Sequence, residues 1–242
     1  GGQQAEVVLG RNALKFTGLV EPMLALKMFE VTNFGISALQ IVRDMSAIGT
    51  DTRPTSSKRV ISVNLQSRYN TNGFTWTDKF GLERVPAAAW TDDGLSSASD
   101  GGANVSGPVK EWNGETGETT ELSDVTINEK AANAYSVHER QAYNGVSLPV
   151  ANVLNSYLDD GGNRARITVE NVPYKKYDVI VYCATDSDNY YFAPVSVNGS
   201  PYRWSTGNRE TQIADNASST SATTWGYSNY PVPALGANAI RV

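Results

Sequence analysis

Chemistry in this chain would have to start from few reactive side chains. His138, in SVHERQAY, is its one histidine, and Cys183, in DVIVYCA, its one cysteine. A Ser-His-Asp or Cys-His device would have to use His138, yet no GxSxG sequence accompanies it. The apolar run around Cys183 reads as a buried strand with no activating base beside it. One imidazole and one thiol also fall short of the nitrogen and sulfur shell that zinc requires.

Carboxylates are the other source of chemistry. Asp51-Thr52-Arg53 is similar to the Asp-Thr-Gly of aspartic proteases, but Arg53 replaces the glycine and no second copy exists to share a proton. The 25 acidic residues leave paired acids for glycoside hydrolysis open, because the separation that decides that mechanism is not written in a sequence. Asp186 and Asp188, in ATDSDNYY, have the alternate acidic spacing of a calcium loop. Tyr190 and Val197 stand where an EF-hand wants an oxygen ligand and a glutamate, which leaves a sandwich-type Ca2+ site completed by backbone carbonyls, or a solvated turn. Aromatic side chains suggest a binding role. Trp225 and Tyr227, in TTWGYSNY, with Trp90 and Trp112, either stack on sugar faces from exposed loops or cap the core. Small polar neighbours without apolar periodicity make Trp225 and Tyr227 the better candidates for exposure.

The bulk numbers bound these options. A chain of 242 residues is long enough for one large all-β domain, or a domain plus a fragment, around a substantial core. A net charge of −5 and the lack of any Lys/Arg-rich run argue against nucleic acid as a partner. No stretch reads as a signal peptide or a spanning helix, so membrane insertion is not expected. Low lysine and abundant Ser, Thr, Asn and Gly point to a secreted or cell-surface protein of bacterial type.

Positioning falls to strands. EVVL and ALKFTGL flank Gly10-Arg11-Asn12 as a hairpin would, and the stretch from MLALKMFEV to GISALQIVR reads as two more strands. Within the latter, Ile36, Ala38 and Gln40 alternate with Ser37, Leu39 and Ile41. In VISVNLQS, Ile61, Val63 and Leu65 share one face. Residues 70–128 read mostly as loops, and LPVANVLNSYL, residues 148–158, as one short helix ended by Gly161. RITVENV and YDVIVYCA follow, the second apolar on both faces and hence central in a sheet, and APVSVNG, SPYRW and NAIRV close the series. The divisions expected are an N-terminal strand segment at 1–45, a polar linker at 46–59 and a main domain at 60–242.

Two internal similarities run through this order. GRNALKF at 10–16 matches GANAIRV at 236–242, and LKFTGLVEPMLALKMFEV shares with ITVENVPYKKYDVIVYCA the order strand, Pro-containing turn, apolar strand. The stretch NSYLDDGGNRARITVENVPYKKYDVIVYCATDSDNYYFAPVSVNG resembles uncharacterised secreted bacterial β-sandwich domains of galactose-binding-like type, with a YLDDG element, a YDVIVY strand and a VNG hairpin. That resemblance implies an all-β jelly-roll sandwich and a surface location, and it carries no functional residues. Residues 13–43 look like the closing end of such a domain, so Leu14, Phe16, Leu39 and Ile41 are the expected assembly strands, completing this sandwich or that of a neighbouring copy. The leading expectation is an extracellular structural or adhesive repeat whose partners are identical subunits. Behind it stand a carbohydrate-binding module taking glycans, and a secreted hydrolase, glycosidase or aspartic-type protease.

Overall fold

The computed structural model describes residues 13–28, 34–46, 57–65, 79–92, 103–104, 108–131, 133–136, 156–159, 165–185, 191–206 and 239–240. Alternation of apolar and polar residues resolves into strands β1 (Ala13–Leu19), β2 (Leu24–Met28), β3 (Phe34–Arg43), β4 (Arg59–Asn64), β5 (Lys79–Phe80), β6 (Val85–Pro86), β7 (Thr91–Asp92), β8 (Ala103–Asn104) and β9 (Val109–Asn113). The series continues with β10 (Thr119–Leu122), β11 (Thr126–Lys130), β12 (Asn133–Ser136), β13 (Ser156–Asp159), β14 (Arg166–Glu170), β15 (Tyr177–Thr185), β16 (Tyr191–Val197), β17 (Ser200–Thr206) and β18 (Ala239–Ile240).

The described strands form two large sheets and one small hairpin. One sheet has ten strands, with β10-β9-β4-β3-β15-β1-β18 as its main path and β7, β12 and β13 beside it; the other has six, in the order β17-β16-β2-β14-β11-β8. Pairing in both is antiparallel except between β4 and β7. Leu14, Phe16, Leu39, Ile41, Ile61, Val63, Val179 and Val181 from the first sheet meet Leu24, Leu26, Ile127, Ile167 and Val169 from the second in one core. The protein is therefore an all-β structure of two packed sheets.

Its organising feature is a long antiparallel ribbon bent across both sheets. β1 lies against β15 from Ala13 opposite Tyr182 to Leu19 opposite Tyr177. After the turn at Glu21-Pro22, β2 continues against β14, from Leu24 opposite Val169 to Lys27 opposite Arg166. The Val172 N–H donates to the Pro22 carbonyl at 2.8 Å, so the two turns are bonded where the ribbon changes sheets. β3 then pairs with the other edge of β15, and β16 with the other edge of β2. Residues 13–43 thus supply inner strands of the same two sheets as residues 59–206.

Two extra residues set the facing. One residue more on β1 than on β15 between Phe16 and Leu19 makes a bulge, which Gly18 accommodates at φ 71° while its N–H donates to Asp178 Oδ1 at 3.0 Å. On β3 the extra residue falls at Ser37, between the pairs Tyr182 with Ala38 and Cys183 with Ile36. That bulge moves Ile36 to the face of Leu39 and Ile41, in the core between the sheets. The alternation expected from sequence holds from Ala38 onwards, where Ala38 and Val42 take the opposite face.

Two expectations are corrected. The helix expected at 148–158 gives way at its end to a strand, since Ser156–Asp159 pairs with β12 and β3 and Leu158 is fully buried opposite Ile36. Residues 148–155 lie outside the described residues. The loop reading of 70–128 gives way to several strands, β9, β10 and β11 among them. Their sequences VKEWN, TTEL and TINEK are short and carry charged residues, adjacent to each other in the first and third, that mask the strand pattern.

Candidate functional site

Polar side chains that the fold buries are the natural place to look for function, and two groups of them stand out beside one open cleft. The first lies on the ten-stranded sheet's outer face, where a second core of Ala13, Ala38, Val42, Val60, Ile180 and Tyr182 is covered by residues 79–92. β5, β6 and the 3-10 turn Ala87–Ala89 form this cover. Its turn is pinned to the sheet from below. The Tyr182 hydroxyl donates a short hydrogen bond to Gln40 Oε1 and accepts one from the Leu82 N–H at 2.8 Å. Gln40 Oε1 also accepts from the Glu83 N–H at 3.3 Å, and Gln40 Nε2 donates to Ser62 Oγ at 3.0 Å. Gly81, at φ 67°, passes so close that a Cβ there would sit 2.6 Å from Gln40 Oε1 and 2.9 Å from the Tyr182 hydroxyl. Lys58 pairs with Glu83 at the edge of the cover. Burial pushes the Tyr182 hydroxyl far above its ordinary pKa, which keeps it neutral and able to donate.

The second group lies between the sheets at the end of β4. Glu111, with no exposed surface, accepts from Arg59 Nη1 at 3.2 Å and from the Tyr174 hydroxyl at 2.8 Å. Arg59 Nε donates to Ser57 Oγ at 3.1 Å. Nearby on the surface, Lys176 Nζ lies 2.8 Å from Asp44, and the Ser46 N–H donates to Asp44 Oδ1 at 2.8 Å. Lys176 first, and then hydrogen bonding from Ser46, hold the Asp44 carboxyl down at about 2. The turn after β1 is fixed in the same manner. The Tyr177 hydroxyl donates to the Glu21 carbonyl at 2.9 Å, and Asn198 exchanges two hydrogen bonds with the Ala25 backbone. Burial, and then the Glu21 charge, raise the Tyr177 pKa. Val20 and Met23 stand exposed on this turn.

The third feature is open. A cleft of about 720 Å³ is lined by Thr120, Glu121, Leu122, Ser123, Asp124, Val125, Asn171 and Pro173. Asn171, at φ 58°, donates to the Asp124 carbonyl at 2.8 Å and shapes its wall. The cleft offers hydroxyls, carboxylates and an amide to a ligand, and no aromatic face.

The residues singled out by sequence are dispersed. Trp90 is 2% exposed, with its Nε1–H donating to the Val85 carbonyl at 3.2 Å, and Trp112 is 6% exposed, with Lys79 Nζ 5.4 Å from its ring centroid. Both indoles belong to the outer core, so their faces are used against protein and the stacking role expected of them is corrected. Leu14, Phe16, Leu39 and Ile41 are buried between the chain's own sheets. Trp225, Tyr227, Asp186, Asp188, His138 and Asp51 lie outside the described residues, and with them the Ca2+ expectation. Among the described residues no cluster of three or more His, Cys, Asp or Glu could hold a metal ion, and none of their helices is long and apolar enough to cross a membrane.

Nothing in the sequence singles out Tyr182. Gln40 carried a signal, a polar residue at an alternating position beside Ala38, and Glu111 carried the same signal between Val109 and Asn113. These features define an all-β protein in which Gln40, Tyr182, Glu111 and Tyr174 bond to neighbouring backbone and side chains. No family model matches the chain, and comparison with curated proteins and with solved structures gave no match.

Proposed function

We propose that this chain is an extracellular structural or adhesive domain, a jelly roll that assembles with identical copies of itself. The observation that carries the reading is the bent ribbon of residues 13–27 against 166–182, which binds an early and a late segment together across both sheets. Rolling one antiparallel ribbon over two sheets is the construction of a jelly roll. It favours a stiff module, because neither sheet closes until both segments are in place. Two carboxylates engaged within the protein, one buried and one half-buried, support the same reading. Glu111 serves Arg59 and Tyr174, and Asp178 serves Lys15 at 3.0 Å and the Gly18 N–H. A general acid or base would have to face a substrate instead.

Sedimentation velocity of the full chain, from micromolar to near-millimolar concentration, tests assembly. Heavier species that grow with concentration are expected, and a single monomeric species throughout would overturn it. A second reading, glycan binding, draws on the polar cleft, whose Thr120, Ser123, Asp124 and Asn171 suit sugar hydroxyls. A glycan array separates the sites. Binding lost in Asp124→Ala assigns the cleft, binding lost in Trp225→Ala assigns the TTWGYSNY stretch, and no binding to any glycan removes this reading.

A further inference from the structure

The structure brings the two matching heptads together. β18, inside GANAIRV, lies along the edge of β1, inside GRNALKF, with Ile240 opposite Lys15 and Ala239 opposite Phe16. Ala239 is the counterpart of Ala13 and Ile240 that of Leu14 in the sequence match. The two described pairs are therefore related in reverse about the Leu14-Lys15 peptide. A pair related in this way has close to twofold symmetry in residue type, so the heptad is complementary to a second copy of itself.

The two strands are held very differently. β1 is fixed along its other edge by β15, with Leu14 and Phe16 in the core between the sheets. β18 ends the sheet and pairs with β1 alone among the described residues. Residues 207–238 lead to it from β17, which belongs to the other sheet. Fully extended, that stretch would reach roughly 100 Å, enough to bring β18 to its own β1 or to that of an adjacent molecule. The backbone bonds at the β1 edge are the same in either case, and an empty edge would leave unpaired N–H and C=O groups that invite a strand.

We propose that the β1 edge is a strand-exchange site, and that its occupant in the assembled state is the 236–242 segment of a second copy of this chain. The inference rests on the assembly reading and specifies its contact. It also moves the exchanged element from the N-terminal strands, which are locked between sheets, to the last one. Because closed and exchanged forms make the same bonds, exchange grows with protein concentration.

Single-cysteine variants of the full chain test this. In a Cys183→Ala background, Lys15→Cys and Ile240→Cys are made separately, one with a mass tag, then mixed and treated with a short bismaleimide. The expected product is a crosslinked pair containing one chain of each kind, rising in yield with concentration. Mixtures within one variant serve as the control and should give far less. A doubly substituted chain that crosslinks only within itself, with no mixed product at any concentration, would overturn exchange. Failure of both reactions would overturn the β1–β18 contact and exchange with it. If wild-type chain self-associates while no mixed product forms, exchange falls and assembly stands; if wild-type chain stays monomeric, both fall.

Discussion

Gly81 offers the most direct test of how the outer cover is held. Gly81 and Gly117 both adopt left-handed backbone, at φ 67° and 78°, yet a Cβ at Gly117 would meet nothing within 4 Å whereas one at Gly81 would strike Gln40 and Tyr182. Alanine at either position pays the left-handed penalty of about 1–2 kcal/mol. At Gly81 the turn must also lift, or Gln40 and Tyr182 must move. Either response breaks the bonds from the Leu82 and Glu83 N–H groups and leaves buried acceptors short of a partner, which costs about 2–3 kcal/mol more. Gly81→Ala is thus expected to cost about 3–5 kcal/mol and Gly117→Ala about 1–2. Urea unfolding with an unchanged m-value measures both. A Gln40→Ala, Tyr182→Phe background, which removes both obstructing groups, should bring the Gly81→Ala cost down towards that of Gly117→Ala. Equal costs for the two glycines in the wild-type background would refute the pinning argument.

Three further outcomes follow from named contacts. Glu111→Ala should cost about 3–5 kcal/mol in chemical denaturation, because it removes the buried carboxylate facing Arg59 and Tyr174; Glu111→Gln, which keeps the shape, should cost less. Asp44 ionises more readily folded than unfolded, at about 2 against an ordinary 3.8, so its contribution is complete above pH 3.8 and disappears as pH falls through about 2. With its side chain 21% exposed, the stability difference between wild type and Asp44→Asn should be about 1 kcal/mol near neutral pH and vanish in that window. Trp90→Ala should lower stability by about 3–5 kcal/mol in thermal or urea unfolding, as removal of a core side chain does, rather than weaken glycan binding selectively in a folded protein.

Legibility in the sequence followed how far each strand's environment differs between its two faces. β4 and β15 were readable because Ile61 and Val63 alternate cleanly and because VIVY, residues 179–182, is apolar on both faces, as a strand between β1 and β3 with both faces covered must be. β9 was not readable, because Glu111 points into the core where Arg59 and Tyr174 make a carboxylate tolerable. Its alternation is present with the wrong polarity. The β3 bulge was equally hidden, since an extra residue at Ser37 leaves composition untouched while reversing the face of Ile36. Tyr182 and Gln40 meet only once the strands are paired, and Gly81 becomes critical only once the cover lies on them.

The internal similarities acquire a physical explanation that needs no duplication. Strands facing each other across an antiparallel ribbon present the same side chains to the same core, so their alternation must agree residue by residue. They must also break where the ribbon changes sheets, which places Pro22 and Pro173 at matched turns joined by the Val172 to Pro22 bond. LKFTGLVEPMLALKMFEV and ITVENVPYKKYDVIVYCA thus share the order strand, Pro-containing turn, strand because the two segments pair as one antiparallel ribbon, β1 with β15 and β2 with β14. GRNALKF and GANAIRV follow the same logic, with one difference. The ribbon's partners are trapped between sheets, whereas β18 sits at an edge and adds to β1 only what any equivalent strand could add. Similarity between paired strands in the interior secures one register; similarity between paired strands at an edge permits a change of partner.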